Sequence, residues 1–207
     1  MRHGFLAPLI VCLTLGVSML SGGAAQAANP AETFVADNVQ KGLTILNDKH
    51  LSTSQRRSEF ETFLVSLTDL HRIAAFTLGQ YKRTASPADL EAFDAAFRNY
   101  AVAFYQSYFA KYTGQTLKVT GSQARASDDF VVQTVMIDPN DHSGQPPLEV
   151  DFHVRTNTGK PVVVDVAVLG IWVSLTEQNQ FTAFLGQNNG SIPLLISHLN
   201  ELTKGIH

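Results

Sequence analysis

The sequence predicts an α+β domain in which helices cover one face of a curved, mainly antiparallel sheet of about four strands. Apolar residues recur at helical spacing between residues 30 and 113, alternate at strand spacing from 116 to 169, and return to helical spacing near the end. Helices that precede and follow a run of hairpin-connected strands are typical of an α+β layer architecture. Such a body can hold an apolar cavity between its layers.

The first 27 residues have the features of an export signal. A positive charge comes first, residues 5–20 are apolar, and Ala-Gln-Ala at 25–27 matches a small-x-small cleavage site. We therefore expect residues 1–27 to be removed on export, which leaves a single domain over residues 28–207. The only cysteine, Cys12, falls within the expected signal, so disulfides and thiol chemistry are excluded for the remaining chain.

Four helices are predicted ahead of the strands. Asn29 and Ser86 are suited to cap the first and fourth helices, because a proline follows each of them at the first helical position. Short apolar stripes predict the two helices in between. The first helix is expected to begin at Pro30, and the second and third to cover about 54–67 and 70–78. The fourth is expected to run from Pro87 to Gly114.

Beyond Gln115 the apolar period changes to that of strands. The run 162–169 is almost wholly apolar, so it reads as a central strand with Asp165 as its only charge. Strands are expected over 116–120, 130–137, 148–155 and 162–169, followed by helices over about 178–185 and 191–202.

The composition excludes several classes of function. The chain has 15 basic and 18 acidic residues, and removal of Arg2 with the signal leaves 14 − 18 = −4, which is unlike a nucleic-acid-binding protein. No histidine has a metal-ligand spacing to another histidine, so no metal is expected. Nucleotide-binding loops and the serine-hydrolase motif GxSxG are absent.

The long fourth helix carries an aromatic stripe. Six rings recur at intervals of three or four residues, which places them on one side of a helix. They are Phe93, Phe97, Tyr100, Phe104, Tyr108 and Tyr112. Tyr105 and Phe109 widen the stripe beyond what a small domain usually needs. Two interpretations are open here: a core helix, or one wall of a cavity for a long apolar ligand.

Segments at both ends of the chain resemble one family signature. Leu-Gly-Gln-Tyr at 78–81 and Ala-Ser-Pro at 85–87, followed by Phe93 and Phe97, resemble LGxYW…(T/S)PxxxxxFxxxF. Residues 159–170 align without a gap with GKWxVYDVxVEG, and the family's later phenylalanine, glycine and LIxxL helix have counterparts at Phe181, Gly190 and 192–199. The chain is similar on these grounds to the MlaC (toluene-tolerance) family of periplasmic phospholipid-binding proteins.

Several positions depart from that signature. They resemble a divergent branch of the family, such as its hopanoid-associated (HpnM-like) members. The departing residues are Lys82, Pro161, Val164, Leu169, Trp172 and Gln178.

The resemblance implies a carrier that shuttles phospholipid, or a related lipid such as a hopanoid, between the inner and outer membranes. Its implied partners are an inner-membrane MCE-domain/ABC transporter complex and an outer-membrane lipoprotein complex, with bound lipid as cargo and no cofactor. Shielding is needed because each methylene exposed to water costs about 0.8 kcal/mol.

In this interpretation the stripe, the inward strand residues and the C-terminal helices enclose the cargo. Lys82 and Arg83 are candidate contacts for anionic headgroups or a docking surface, or simply a solvated pair. The expected cavity wall comprises Phe93, Phe97, Tyr100, Phe104, Tyr105, Tyr108, Val150, Phe152, Val154, Val164, Val166, Val168, Trp172, Phe181, Phe184, Leu195 and Leu199.

An enzyme is the alternative from a different class. Asp165 or Asp151 would serve as a general base in an apolar pocket. The favoured interpretation of Asp165 is structural: a hydrogen bond at the sheet edge or a pair with a buried base. An enzyme pocket should be closed and contain a carboxyl with a shifted pKa, whereas a carrier pocket should be long, open and free of charge.

Overall fold

The computed structural model describes residues 29–109, 112–157 and 159–206, with only the backbone for residues 108 and 109, and it confirms the α+β fold class. The expected signal, residues 1–27, lies outside the described residues. Six α-helices and one 3₁₀ helix accompany a five-stranded sheet within the described chain. The elements are α1 Pro30–Asn47, α2 Thr53–Leu67, α3 Leu70–Thr77, the 3₁₀ helix Gly79–Arg83, α4 Pro87–Phe109, β1 Thr116–Ala126, β2 Asp129–Ile137, β3 Leu148–Arg155, β4 Val162–Val168, β5 Ile171–Trp172, α5 Val173–Gln187 and α6 Ile192–Gly205.

The helices of the N-terminal half begin where the capping residues predicted. The side chain of Asn29 accepts a hydrogen bond from the Glu32 amide at 2.9 Å, and Ser86 Oγ accepts one from the Asp89 amide at 3.1 Å. Each bond satisfies an amide that has no partner within its own helix. No helix in the described part of the chain is both long and apolar enough to span a membrane.

The sheet is an antiparallel meander in the order β1-β2-β3-β4-β5. It has one strand more than predicted, because Ile171 and Trp172 fold back onto β4 as the short β5. Leu169 (φ 51°) and Gly170 (φ 76°) form the two-residue turn between them, and their positive φ angles suit the right-handed twist of a tight hairpin. β1 is also longer than predicted, extending to Ala126 past an irregularity at Thr120.

A β-bulge in β4 shifts the direction of its side chains. Asp165 lies opposite His153, but Val163 lies opposite Val154, so Val164 is an extra residue without a cross-strand partner. A one-residue insertion reverses the alternation of faces on one side of the bulge. Val163 therefore points to the same side as Val166, and Val164 does not.

Helix α5 begins at Val173, five residues before the predicted start. Its N-cap residue, Trp172, supplies no side-chain hydrogen bond. The cap comes instead from Asp165 on β4, whose carboxylate accepts bonds from the Ser174 amide at 3.0 Å, the Val166 amide at 2.9 Å and the Ser174 hydroxyl. A cap donated by a neighbouring strand leaves no local signal in the sequence, which explains the error.

The main core lies between α3, α4, α5 and α6. The ring of Phe181 on α5 is 2 % exposed and meets the rings of Phe93, Phe97 and Tyr100 edge-on, with centroids 6.2 to 6.4 Å apart. Edge-to-face contacts of this kind are favourable because the positive edge of one ring meets the negative face of another. A second, smaller core joins α1 to the sheet through Ala31, Val35, Val132 and Val154.

Replacement of Phe93 by alanine should destabilise the protein strongly. Phe93 has no exposed surface, and truncating a buried phenylalanine removes about 3–5 kcal/mol from the free energy of unfolding. The matched control is Phe76→Ala, because Phe76 is 45 % exposed and should lose far less. Urea denaturation followed by circular dichroism measures both, and equal losses would contradict the placement of Phe93 at the centre of the core.

Candidate functional site

Two adjoining apolar cavities lie between the helices and the sheet. The larger, here called the α4 cavity, has a volume of about 330 Å³ and lies between α2, α3, α4, the start of α5 and strands β1 to β4. The smaller, the α1 cavity, has a volume of about 200 Å³ and lies between α1, α2 and the sheet. The two share the wall residues Leu64, Leu67, Leu117, Met136, Phe152 and Val163.

Part of the expected cavity wall lines the α4 cavity. On α4 these are the stripe residues between 97 and 105, and on the sheet they are residues of β3 and β4 that point toward the helices. They are Phe97, Tyr100, Phe104, Tyr105, Val150, Phe152, Val166 and Val168. The side chain of Tyr108, which the stripe also predicts, lies outside the described residues.

Other expected wall residues lie in packed cores. Phe93, Phe181, Leu195 and Leu199 are buried where α4, α5 and α6 meet, and Phe184 packs beside them with its ring stacked on His198. For Phe93, helical spacing could not distinguish core from cavity, because the same side of α4 contributes residues to the core and to the cavity wall. Val154 lies in the second core, against α1.

Val164 and Trp172 line a neighbouring groove instead of the α4 cavity. This groove also contains Arg72, Arg125 and His153. Trp172 contacts the ring of His153 edge-on, with centroids 6.0 Å apart. The bulge at Val164 accounts for the difference, since strict alternation would have placed Val164 beside Val166.

The residues that α1, α2 and α3 contribute to the cavities were not predicted. Leu64, Leu67, Leu70 and Ile73 line the α4 cavity, and Val163 stands where Val164 was expected. The α1 cavity was missed entirely. Its residues on α1 and α2 do form apolar stripes in the sequence, but nothing in those stripes distinguishes a cavity wall from a core. The residues from these two helices are Phe34, Val35, Asn38, Val39, Gly42, Leu43, Leu46, Phe60, Phe63, Leu64 and Leu67.

A polar cluster interrupts the apolar wall of the α4 cavity. Tyr100 Oη donates a hydrogen bond of 3.1 Å to Glu177 Oε1, and Glu177 is only 8 % exposed. Burial raises the pKa of the Glu177 carboxyl, because the charged form loses its hydration, and the Tyr100 bond acts in the opposite direction. Ser174 and Asp165 lie in the same wall and bond each other. Glu177 sits in a polar run of sequence, so no local pattern indicated its burial.

The two carboxyls proposed as enzymatic bases are placed differently. Asp165 accepts three hydrogen bonds, two of them from Ser174 in the first turn of α5, which it caps. Asp151 alternates in direction with Val150 and Phe152 and lines neither cavity. Burial, followed by the neighbouring charge of Glu149, raises the pKa of the Asp151 carboxyl. The carboxyl that combines a raised pKa with a place in a cavity is thus Glu177.

Lys82 and Arg83 lie exposed on the 3₁₀ helix. Neither lines either cavity, and neither forms a salt bridge within the described part of the chain. Residues 29–109, 112–157 and 159–206 contain no group of three or more histidine, cysteine or acidic side chains arranged to hold a metal ion.

Comparison with known proteins identifies the family. Residues 36–201 match the family model described as MlaC protein. The chain belongs to the MlaC family. A solved structure of a phospholipid-binding protein from Ralstonia solanacearum, in complex with a phospholipid, has the same fold with a TM-score of 0.74. The identity is 22 %, and the match covers 86 % of this chain and 99 % of the other.

Three departures of this family member from the family signature lie at the surface or at the ends of β4. Lys82 is exposed, and Pro161 immediately precedes β4, a position that needs no amide donor. Leu169 adopts the left-handed conformation of the β4–β5 turn and is 64 % exposed. None of the three lines a cavity.

Stability should respond to pH through Glu177. A carboxyl whose pKa is raised by folding stabilises the folded state fully below its ordinary, unfolded-state pKa, and that contribution is lost as pH rises through the folded-state value. Glu177→Gln cannot ionise, so the variant should gain stability relative to the natural protein as pH rises from about 4 to 8.

The control for this change is Glu201→Gln. Glu201 is exposed, and its bond to Lys204 lowers the pKa of its carboxyl, so the relative stability of this variant should fall slightly or stay level over the same pH range. Urea denaturation at several pH values measures both variants. Parallel pH profiles for Glu177→Gln and the natural protein would contradict the burial effect.

Proposed function

We propose that this MlaC family member is a periplasmic lipid carrier that holds the acyl chains of a phospholipid, or a related lipid, in the α4 and α1 cavities. The observation that carries the proposal is the pair of adjoining cavities, whose walls are apolar apart from a few polar side chains such as the Glu177 cluster. A protein of this size usually fills its interior with side chains, so two such cavities call for an apolar ligand.

The cavity sizes support this ligand class. The α4 cavity falls at the lower end of the range of about 300–1,000 Å³ that is usual for ligand pockets, and the α1 cavity adds a second compartment. Two compartments that share a wall suit a lipid with two chains. Transfer of ten methylenes from water would contribute about 8 kcal/mol before the costs of ordering and pocket opening.

The family and its solved relative support the same ligand. The Ralstonia protein is named as phospholipid-binding and was solved with a phospholipid bound. We extend this ligand to the present chain because the fold and the family are shared. A hopanoid-type lipid remains within the proposal, since the departures from the family signature resemble the hopanoid-associated branch.

Transport between membranes is the wider part of the proposal. The expected export signal supports a periplasmic location, and the family supports exchange with an inner-membrane MCE-domain/ABC transporter complex and an outer-membrane lipoprotein complex. In this role the protein is a carrier and not an enzyme. Lys82 and Arg83 would serve as docking contacts rather than headgroup contacts, because they are exposed and line neither cavity.

Protein purified from cells by a gentle procedure should carry lipid. Native mass spectrometry should show the mass of the chain plus one lipid, and extraction followed by lipid mass spectrometry should identify a phospholipid or hopanoid. A lipid-free protein that also takes up neither lipid from vesicles would contradict the proposal.

A charge placed in the α4 cavity should reduce lipid occupancy. Val166→Glu puts a carboxylate into the apolar wall and should lower bound lipid at least about tenfold, because burial of an unpaired charge costs several kcal/mol. Val164→Glu is the matched control, since this neighbour on β4 points to the groove.

Both variants are compared by native mass spectrometry after circular dichroism has shown that they fold. If the charge prevents folding of the first variant, Val166→Trp tests the same wall by filling the cavity. Equal lipid occupancy in the variants at positions 166 and 164 would indicate that the α4 cavity is an ordinary packing defect and not a lipid site.

A further inference from the structure

One oxygen in the wall of the α4 cavity has no hydrogen-bond partner. Glu177 Oε1 accepts the bond from Tyr100, but Oε2 is buried and bonds to no described residue. Buried side-chain oxygens almost always have a partner, and an exception calls for an explanation, of which a bound group is one. Two arginine Nε atoms are also unpaired, but other nitrogens of Arg56 and Arg155 bond to backbone or carboxylate oxygens.

The polar neighbours of Glu177 in this wall are satisfied within the chain. Asp165 accepts three hydrogen bonds, and the Ser174 hydroxyl donates to it. The Thr68 hydroxyl donates to the Leu64 carbonyl at 3.0 Å. Glu177 therefore differs from these three side chains in having an oxygen that the fold leaves unused.

The chemistry of the site selects the kind of group that would bind. A saturated chain would leave Oε2 unsatisfied, which costs free energy. An ammonium or guanidinium group would have to lose its own hydration in an apolar wall. A neutral hydroxyl loses less hydration free energy than a charged group does. Because it both donates and accepts hydrogen bonds, it can pair with either the protonated or the ionised carboxyl.

We propose that Glu177, oriented by Tyr100, is a binding site for a hydroxyl group on the hydrophobic part of the cargo. This inference rests on the proposed function and narrows it. It assigns the α4 cavity a preference among lipids with the same headgroup, according to whether the enclosed portion carries a hydroxyl.

The test uses phosphatidylcholines that share a headgroup and chain lengths. One is unmodified, and the others carry a single hydroxyl at carbon 2, at carbon 12 or at the end of one chain. Each displaces a fluorescent phospholipid from the delipidated protein. The natural protein should bind at least one hydroxylated lipid about five- to tenfold more tightly than the unmodified lipid, the range expected for one hydrogen bond to a buried group.

Glu177→Leu should abolish that preference while the unmodified lipid still binds. Thr68→Val is the matched control: it also removes a polar group from the wall of the α4 cavity, but one whose bond is already made, so the preference should persist. Circular dichroism verifies that both variants fold.

Two results would overturn the inference: equal binding of all four lipids by the natural protein, or an unchanged preference in Glu177→Leu. The first comparison needs no variant, so it decides the question even if Glu177→Leu does not fold. Failure of the unmodified lipid to bind at all would instead overturn the proposed carrier function.

Discussion

The edge-on contact of Phe181 with the rings of Phe93, Phe97 and Tyr100 holds α5 against α4, and the rest of the site depends on it. This contact uses the N-terminal half of the aromatic stripe as core. Phe104 and Tyr105 follow along the same side of α4 and line the α4 cavity. One side of this helix is therefore packed core toward its N-terminal end and cavity wall further along.

The sheet and α5 are coupled through one carboxylate. Asp165 sits immediately after the bulge in β4 and caps the first turn of α5, which carries Ser174 and Glu177. The strand register thereby sets where α5 begins and which of its residues enter the cavity wall. The capping role explains why an otherwise apolar strand carries a charged residue at position 165, since a carboxylate is stabilising at the N-terminus of a helix.

The sequence was sufficient for the fold class and insufficient for the boundary between core and cavity. The helix starts at Asn29 and Ser86 were predictable because each capping residue directly precedes its helix. The start of α5 was not predictable, because its capping residue, Asp165, lies on strand β4. Strict alternation placed Val164 with Val166, and only the observed register shows the bulge that replaces it with Val163. The burial of Glu177 could not be predicted from the sequence, because it arises from the packing of α5 on Tyr100 and not from its neighbours in sequence.

Mutations at the two ends of the stripe should have different effects in the cell. A substitution of Phe93, which has no exposed surface and lines neither cavity, lowers the folded fraction and with it the amount of protein in the cell. Phe104 and Tyr105 belong to neither core and line the α4 cavity. Under the proposed carrier function, their substitution would change the bound lipid at a normal amount of protein, so abundance and cargo could be changed independently along a single helix.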